Sequence, residues 1–153
     1  METIPQVFER TARTHAARPA MRAKRGGAWQ TITWSQYRDQ VRLAARGLMA
    51  LGLEPGKGVA IMGFNRPEWF VADVATIMAG GLPTGLYATN TLEQIGYIAE
   101  HSGARVAVVE NREYLSRFLE IRPRLSHLRT IVVMEPEDAP GAPASGSQFS
   151  PTP

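Results

Sequence analysis

The second half of the chain alternates short apolar segments with longer segments of helical spacing, and this order constrains the fold more than any other feature. The apolar segments are residues 59–64, 82–87, 105–109 and 130–134, and the helical segments are residues 66–79, 91–101 and 111–121. Short, continuously apolar segments are typical of strands buried on both faces of a sheet. The alternation therefore predicts an α/β fold, a mostly parallel sheet flanked by helices.

The front of the chain predicts a helix, a hairpin and a second helix. Apolar residues of segment 4–16 fall on one side of a helix that Thr3 can cap. Residues 20–33 flank a Gly26-Gly27 pair, which supplies the positive backbone dihedrals of a tight hairpin turn. The next helix begins after Thr33, a good cap, and ends before Gly52.

Composition changes at Glu135, where prolines become interleaved with Gly, Ala and Ser. Such a stretch cannot propagate a helix or a strand ladder and buries little apolar surface. We therefore expect two parts: residues 1–134, a partial α/β domain, and residues 135–153, a disordered Pro/Gly/Ser-rich tail. The chain shows no internal repeat.

Charge and composition exclude several classes of protein. The chain has no cysteine, which removes disulfides and thiolate chemistry and fits a reducing cytoplasm, the expected compartment. It has neither a secretory signal nor an apolar stretch long enough to span a bilayer, so attachment to a membrane would be peripheral. The net charge is +3, with an early excess of cations, and a solvated basic face is favoured over a nucleic-acid or anionic-lipid site. The early cations are Arg10, Arg13, Arg18, Arg22, Lys24 and Arg25.

The turns after the strands do not form a dinucleotide site, which requires three glycines at fixed spacing. The turn after the first apolar segment reads Gly-Phe-Asn-Arg-Pro-Glu at residues 63–68. Asn65, Pro67 and Glu68 predict a helix start, with Asn65 capping a backbone amide. An anion could bind at that helix terminus, but Glu68 would repel it, so capping is the favoured interpretation.

Metal and acid–base sites are not indicated. His15, His101 and His127 lie far apart, and none belongs to a ligand-spaced pair. No serine lies in a nucleophile-elbow pattern. We interpret Asp73 as a rim position on an apolar helix. Acidic residues of the tail, namely Glu135, Glu137 and Asp138, are expected to be solvated.

Residues 144–151 have part of the composition of a phosphate-binding loop. Such loops present successive backbone amides and a lysine to the phosphates. Here Phe149 replaces a flexible position, Pro151 cannot donate an amide, and no lysine follows. A disordered tail is the favoured interpretation.

Taken together, the ordered motifs resemble the opening of the adenylate-forming, AMP-binding acyl-CoA synthetases, and most closely the bubblegum-like branch of the long-chain fatty acid ligases. The resemblance covers roughly residues 3–138, with Lys57 departing from the acidic residue usual in its turn. The motifs that carry it are residues 32–37, 52–56, 59–61, 65–69, 79–81, 85–87 and 93–100.

The resemblance implies a parent reaction in which a fatty acid, ATP and CoA give acyl-CoA, AMP and pyrophosphate, with Mg²⁺. The family uses a phosphate loop with a lysine, an adenine-binding aromatic followed by Thr-Glu, a ribose-binding aspartate and a lysine on a mobile domain. None of these matches a position here, so we predict no catalytic or metal-binding residue. By position alone, Ala88 and Thr89 would border the CoA tunnel of the whole enzyme. No bound cofactor is expected for this chain alone.

Two hypotheses follow. The chain is a fragment of a long-chain fatty acid–CoA ligase, inactive alone, whose partner would be the missing remainder of the synthetase. Alternatively, it is a free-standing α/β binding or interaction module without catalysis. The fragment hypothesis predicts a bare apolar face where the remainder would pack, whereas a module would have a sealed surface.

Overall fold

A computed structural model describes residues 1–136 and confirms the α/β prediction. The predicted tail therefore lies almost wholly outside the described residues. Each predicted element is present, with bounds within three residues of those expected. In chain order they are α1 (Ile4–Thr14), β1 (Pro19–Arg25), β2 (Ala28–Thr33), α2 (Trp34–Ala50), β3 (Gly58–Met62), α3 (Pro67–Met78), β4 (Leu82–Leu86), α4 (Leu92–His101), β5 (Ala104–Val109), α5 (Arg112–Ile121), a 3₁₀ turn (Arg122–Arg124) and β6 (Thr130–Val133).

The main sheet is parallel and has the strand order β4-β3-β5-β6. The chain leaves β3 for β4 on one side and then crosses to β5 on the other side. The β3–α3 and β5–α5 loops consequently diverge from neighbouring strand ends. This divergence is the topological switch point, where open α/β sheets usually bind ligands.

Each face of the sheet has its own apolar core. On one face, α4 and α5 pack over the sheet around Phe118, Ile95 and Met62. On the opposite face, α1, α2 and α3 pack around Val41 and Ile61. Burying each such side chain stabilises the fold by about 1.5–3 kcal/mol, so the two cores fix the sheet between two helical layers.

The expected burial of every strand on both faces is confirmed for the central strand and wrong for β4. All five residues of β3 are buried, whereas in β4 only Leu86 is, and Leu82 and Gly85 are exposed. The residues of β6 are only partly buried. The reason is strand order, because β4 and β6 are the edges of the described sheet. Pro83, which has no N–H, is tolerated in an edge strand.

Local capping follows the sequence at most helix starts. Thr3, Thr33 and Thr91 each form a capping box with a glutamine three residues later. The hairpin turn has the predicted geometry, with positive φ at Gly26 and Gly27.

The predicted Asn65 cap is wrong. The residue before α3 is Arg66, whose side chain makes no capping hydrogen bond. Arg66 has an extended backbone, and Pro67 follows as the first helical residue, so the helix begins one residue later than expected. Proline has no N–H to satisfy at that position, which lowers the need for a side-chain cap.

Candidate functional site

A cleft of about 630 Å³ lies between the β1–β2 hairpin and the switch point. Trp29, Phe64 and Phe70 contribute aromatic surface to this hairpin cleft, and Arg66 and Glu110 lie at its polar end. Because the cleft adjoins the divergent loops, it is the first place to look for a ligand site.

Arg66 is the centre of a charge network at this point. Its Nε donates to Glu68 Oε2 at 2.8 Å, and its Nη1 donates to Glu135 Oε1 at 2.7 Å and to Glu110 Oε1 at 3.3 Å. Arg25 of the hairpin donates to the other oxygen of Glu68. The network therefore ties together the hairpin, α3, the β5–α5 loop and the end of β6.

The network shifts the pKa values of Arg66 and Glu68. Partial burial lowers the pKa of Arg66, but hydrogen bonds to Glu68 and Glu135 outweigh burial and hold the pKa above its ordinary value. Burial likewise raises the pKa of Glu68, while its bonds to Arg66 and Arg25 bring it below the usual range. Arg66 and Glu68 are therefore both charged at neutral pH.

Glu110 already occupies the position that an anion would take at the β3–α3 turn. Its Oε2 accepts the backbone N–H of Phe64 at 2.6 Å. A Cβ on Gly63 would lie 2.9 Å from Glu110 Oε2, so a residue without a side chain is needed for this approach. A phosphate at this turn would have to displace the Glu110 carboxylate, which supports the structural interpretation of the turn.

A second concavity, the Trp69 groove, contains the two residues that the resemblance singled out. It has a volume of about 530 Å³ and lies between the β3–α3 loop and the β4–α4 loop. Ala88 and Thr89 line one wall, and Phe64 and Asn65 line the other. The indole of Trp69 lies beneath, with its Cζ2 3.3 Å from the position that a Cβ on Gly85 would take. The structure thus places Ala88 and Thr89 at a groove, and their role stays a prediction.

Arg117, on α5, contacts the loop that carries Ala88 and Thr89, and the sequence interpretation missed it. Its Nη1 donates to the carbonyl oxygen of Ala88 at 2.9 Å and to that of Asn90 at 3.4 Å. Since both acceptors are backbone carbonyls, no pattern of side chains in the sequence marks the contact.

The histidines do not converge. His101 stacks on Tyr97, and the Nε2 atom of His127 lies 3.8 Å from a Glu100 carboxylate oxygen. His15 lies at the end of α1. Within residues 1–136 no group of three histidine, aspartate or glutamate side chains could hold a metal ion.

Asp73 is half-buried on α3, and burial raises the pKa of its carboxyl group. Nearby, the Tyr37 hydroxyl donates to the Phe70 carbonyl at 3.1 Å. Burial, reinforced by the Asp73 charge, raises the pKa of Tyr37 to about 12. A buried, protonated tyrosine is a packing element, and the rim interpretation of Asp73 agrees with its partial burial.

Two charge predictions have different outcomes. Glu135 is not the solvated tail residue that was expected, because it pairs with Arg66 and its N–H bonds to the Glu110 carbonyl. The early cations are all exposed, as the solvated-face interpretation expects. In residues 1–136, no helix has both the length and the apolarity that crossing a bilayer requires.

The carboxylates and the backbone amide at the switch point are not free to hold the cofactors that the resemblance implies. Mg²⁺ takes carboxylate and phosphate oxygens, and the carboxylates of the hairpin cleft are already bonded to Arg66 and Arg25. The phosphates of ATP need free amides and cations, and the Phe64 amide is taken by Glu110. The residues that line the Trp69 groove are all uncharged.

Comparison with known proteins supports the family resemblance. The model of the AMP-binding enzyme family matches residues 8–152. Long-chain-fatty-acid–CoA ligase ACSBG2 of Xenopus laevis is 41% identical over 135 residues, which are 88% of this chain and 18% of the relative. ACSBG2 of Rattus norvegicus is 43% identical over 131 residues, 85% of this chain and 20% of the relative. The chain thus spans about a fifth of the length of these relatives.

Solved structures show the same fold. The anthranilate CoA ligase AuaEII in complex with anthranoyl-AMP superposes with a TM-score of 0.74 at 23% identity, over 84% of this chain and 24% of that one. The adenylation domain of a carboxylate reductase from Mycobacterium chelonae gives 0.77 at 20% identity, over 90% and 24%. These structures support the fold, and the family match supports the lineage: the chain belongs to the AMP-binding enzyme family, and its relatives there are bubblegum-type long-chain-fatty-acid–CoA ligases.

Proposed function

We propose that this chain forms the amino-terminal part of the adenylating domain of a long-chain-fatty-acid–CoA ligase and does not catalyse acyl adenylation alone. In the parent reaction a fatty acid, ATP and CoA give acyl-CoA, AMP and pyrophosphate. The chain would supply one wall of the substrate path, and the remainder of the ligase would supply the nucleotide site. The cytoplasm, or a membrane surface facing it, is the compartment that the proposal assumes.

The observation that carries the proposal is an apolar groove beside α2 that no residue of the described range 1–136 covers. This α2 groove has a volume of about 450 Å³, and its apolar lining includes Leu43, Leu51, Val71, Val132 and Met134. Leu43 is 65% exposed and Leu51 is 39% exposed. The groove continues to β6, whose outer side has no partner strand in the described sheet.

An open apolar groove next to an unpaired strand is unfavourable for a free-standing protein. Exposed strand edges pair with other chains, and contiguous apolar patches mark surfaces that another element covers. We infer that a further strand and helix of the ligase cover both features. The alternative, a free-standing α/β module, would require a sealed surface here.

The chemistry of the cleft supports inactivity in isolation. Adenylation requires cations and amides that face the phosphates of ATP. At the switch point, Arg66 and Arg25 are engaged by carboxylates, and Glu110 takes the Phe64 amide. Arg22 and Lys24 also line the cleft, but from the hairpin. A nucleotide would therefore meet carboxylates at the switch point.

The test is pyrophosphate release by the purified chain with a long-chain fatty acid, ATP and Mg²⁺. The rat relative, assayed in parallel, shows that the conditions support the reaction. We expect the rat enzyme to release pyrophosphate and this chain to give only the rate of the enzyme-free blank. Clear turnover by the chain would refute the proposal.

A fusion tests the positive half of the proposal. Joining residues 1–136 to the portion of the rat ligase that follows its matched segment should restore fatty-acid-dependent pyrophosphate release. As a matched control, the same rat portion without this chain should stay inactive. A fusion that folds but never releases pyrophosphate would contradict the assigned role.

A further inference from the structure

The β4–α4 loop, residues 87–91, is closed by its own hydrogen bonds. The Tyr87 N–H donates to Asn90 Oδ1 at 2.7 Å, and the Asn90 N–H donates to the Tyr87 carbonyl at 3.0 Å. The side-chain Nδ2 of Asn90 donates to Gln94 Oε1, which also accepts the backbone N–H of Thr91. These bonds set the shape of the loop and attach it to α4. They do not bond the loop to the opposite wall of the Trp69 groove, to which the sheet joins it only through the paired strand ends Met62 and Leu86.

Arg117 supplies that missing constraint from a different helix. Its guanidinium bonds the Ala88 and Asn90 carbonyls, 29 and 27 residues away along the chain. The guanidinium is itself oriented from α5, because it lies 5.8 Å from the Tyr114 ring centre and 3.6 Å from a Glu113 carboxylate oxygen. A planar guanidinium held in this way can bond two carbonyls in a fixed geometry.

Tyr114 extends the connection to the other wall. Its ring is buried and lies 6.4 Å, centre to centre, from the ring of Phe64 in the β3–α3 loop. Phe64 and Ala88 line opposite sides of the Trp69 groove. The path from Ala88 through Arg117 and Tyr114 to Phe64 therefore spans the width of the groove.

We propose that Arg117 is a positioning residue that sets the width of the Trp69 groove for a slender, uncharged chain, the pantetheine arm of CoA. The choice of ligand rests on the proposed function, whereas the positioning role rests on the contacts of Arg117 alone. Arg117 contacts the loop and not the ligand. Its loss should affect the loop and its ligand far more than the fold, because the loop turn and the Thr91 cap do not use it.

Amide hydrogen exchange of the whole chain tests the positioning role. Arg117→Ala should make the Tyr87 and Asn90 amides exchange about tenfold faster, as expected for the loss of a charge-assisted hydrogen bond. Arg117→Lys should recover part of the protection, because it keeps a cationic donor. Arg122→Ala is the matched control, since Arg122 also donates to a backbone carbonyl, that of Arg129, at 3.2 Å. It should leave the loop amides unchanged.

Two exchange results would overturn the proposal. One is unchanged exchange at Tyr87 and Asn90 in Arg117→Ala. The other is accelerated exchange throughout α4 and α5, which would make Arg117 a general structural residue.

The CoA dependence of acyl-CoA formation by the fusion of residues 1–136 with the rat portion tests the ligand, because this chain alone would supply only one wall of the path. In the fusion, Arg117→Ala should raise the KM for CoA about fivefold or more with little change in kcat, with partial recovery in Arg117→Lys and no change in Arg122→Ala. An unchanged KM for CoA in Arg117→Ala, with the loop amides still exchanging faster, would overturn the CoA assignment and leave the positioning role. A fusion that releases no pyrophosphate would instead contradict the proposed function.

Discussion

The two faces of the sheet differ in how completely they are covered. On the closed face, which α4 and α5 cover, Phe118 and Ile95 are fully buried at the centre of the layer. On the open face, which α1, α2 and α3 cover, the layer stops short of β6 and leaves the α2 groove. One face of the sheet is thus fully covered by helices, whereas the other leaves an apolar groove exposed. The contrast supports the proposal that a further element packs on the open face.

Replacing one apolar side chain on each face should give the largest difference in the free energy of unfolding. Phe118→Ala should reduce the free energy of unfolding by about 3–5 kcal/mol, because it leaves a cavity in a fully packed core. Leu43→Ala, in the α2 groove, should change it by less than about 0.5 kcal/mol. Urea unfolding measures both. Similar losses for the two variants would contradict the contrast between the faces.

The charge network around Arg66 fastens the hairpin and β6 to the rest of the open face, and its removal should have an intermediate effect. Arg66→Met should cost about 2 kcal/mol, because three carboxylates lose a partner in a partly buried site. Arg10→Met is the control, since its exposed pair with Glu2 should contribute less than about 1 kcal/mol. Equal losses in the two variants would show that the network is an ordinary surface feature.

The same network should give the wild type a pH dependence. The pKa of Glu68 is lower in the folded state than in the unfolded state. Its contribution is therefore present above the unfolded pKa, near pH 4.5, and is lost as the pH falls through the lower folded value. Unfolding curves measured from pH 6 to pH 3 should show a smaller acid loss in Arg66→Met than in the wild type. An identical acid loss would place the titrating groups elsewhere.

The elements of the fold could be predicted from the sequence because their signals are local. Thr33 and Gln36 lie one helical turn apart, and the apolar runs at β3 and β5 identify buried strands without reference to distant residues. The exposure of β4 could not be predicted in this way, since it depends on which strand ends at the edge. Strand order arises from tertiary packing.

The contacts at the candidate sites were less accessible to sequence reasoning. Glu135 pairs with an arginine 69 positions earlier, so local composition suggested only a solvated residue. Arg117 bonds carbonyl oxygens, which every residue has, and its spacing along α5 carries no signal. Ala88 and Thr89 were reached through family resemblance and not through their chemistry. Sites assembled from backbone groups or from distant charges can be recognised only once the fold is known.

The smallest effect on stability should come from the open face itself. Leu43→Lys and Leu51→Lys together should leave the free energy of unfolding within about 0.5 kcal/mol of the wild type, because both side chains are substantially exposed. The same pair should strongly reduce binding of an apolar fluorescent dye, since the charges interrupt the α2 groove. Leu119→Lys is the matched control, because this exposed leucine of α5 lies outside the groove and its exposure is between those of Leu43 and Leu51; it should leave dye binding unchanged. If all variants reduce dye binding alike, or the wild type binds none, the groove is not a distinct apolar surface and the free-standing module becomes the better interpretation.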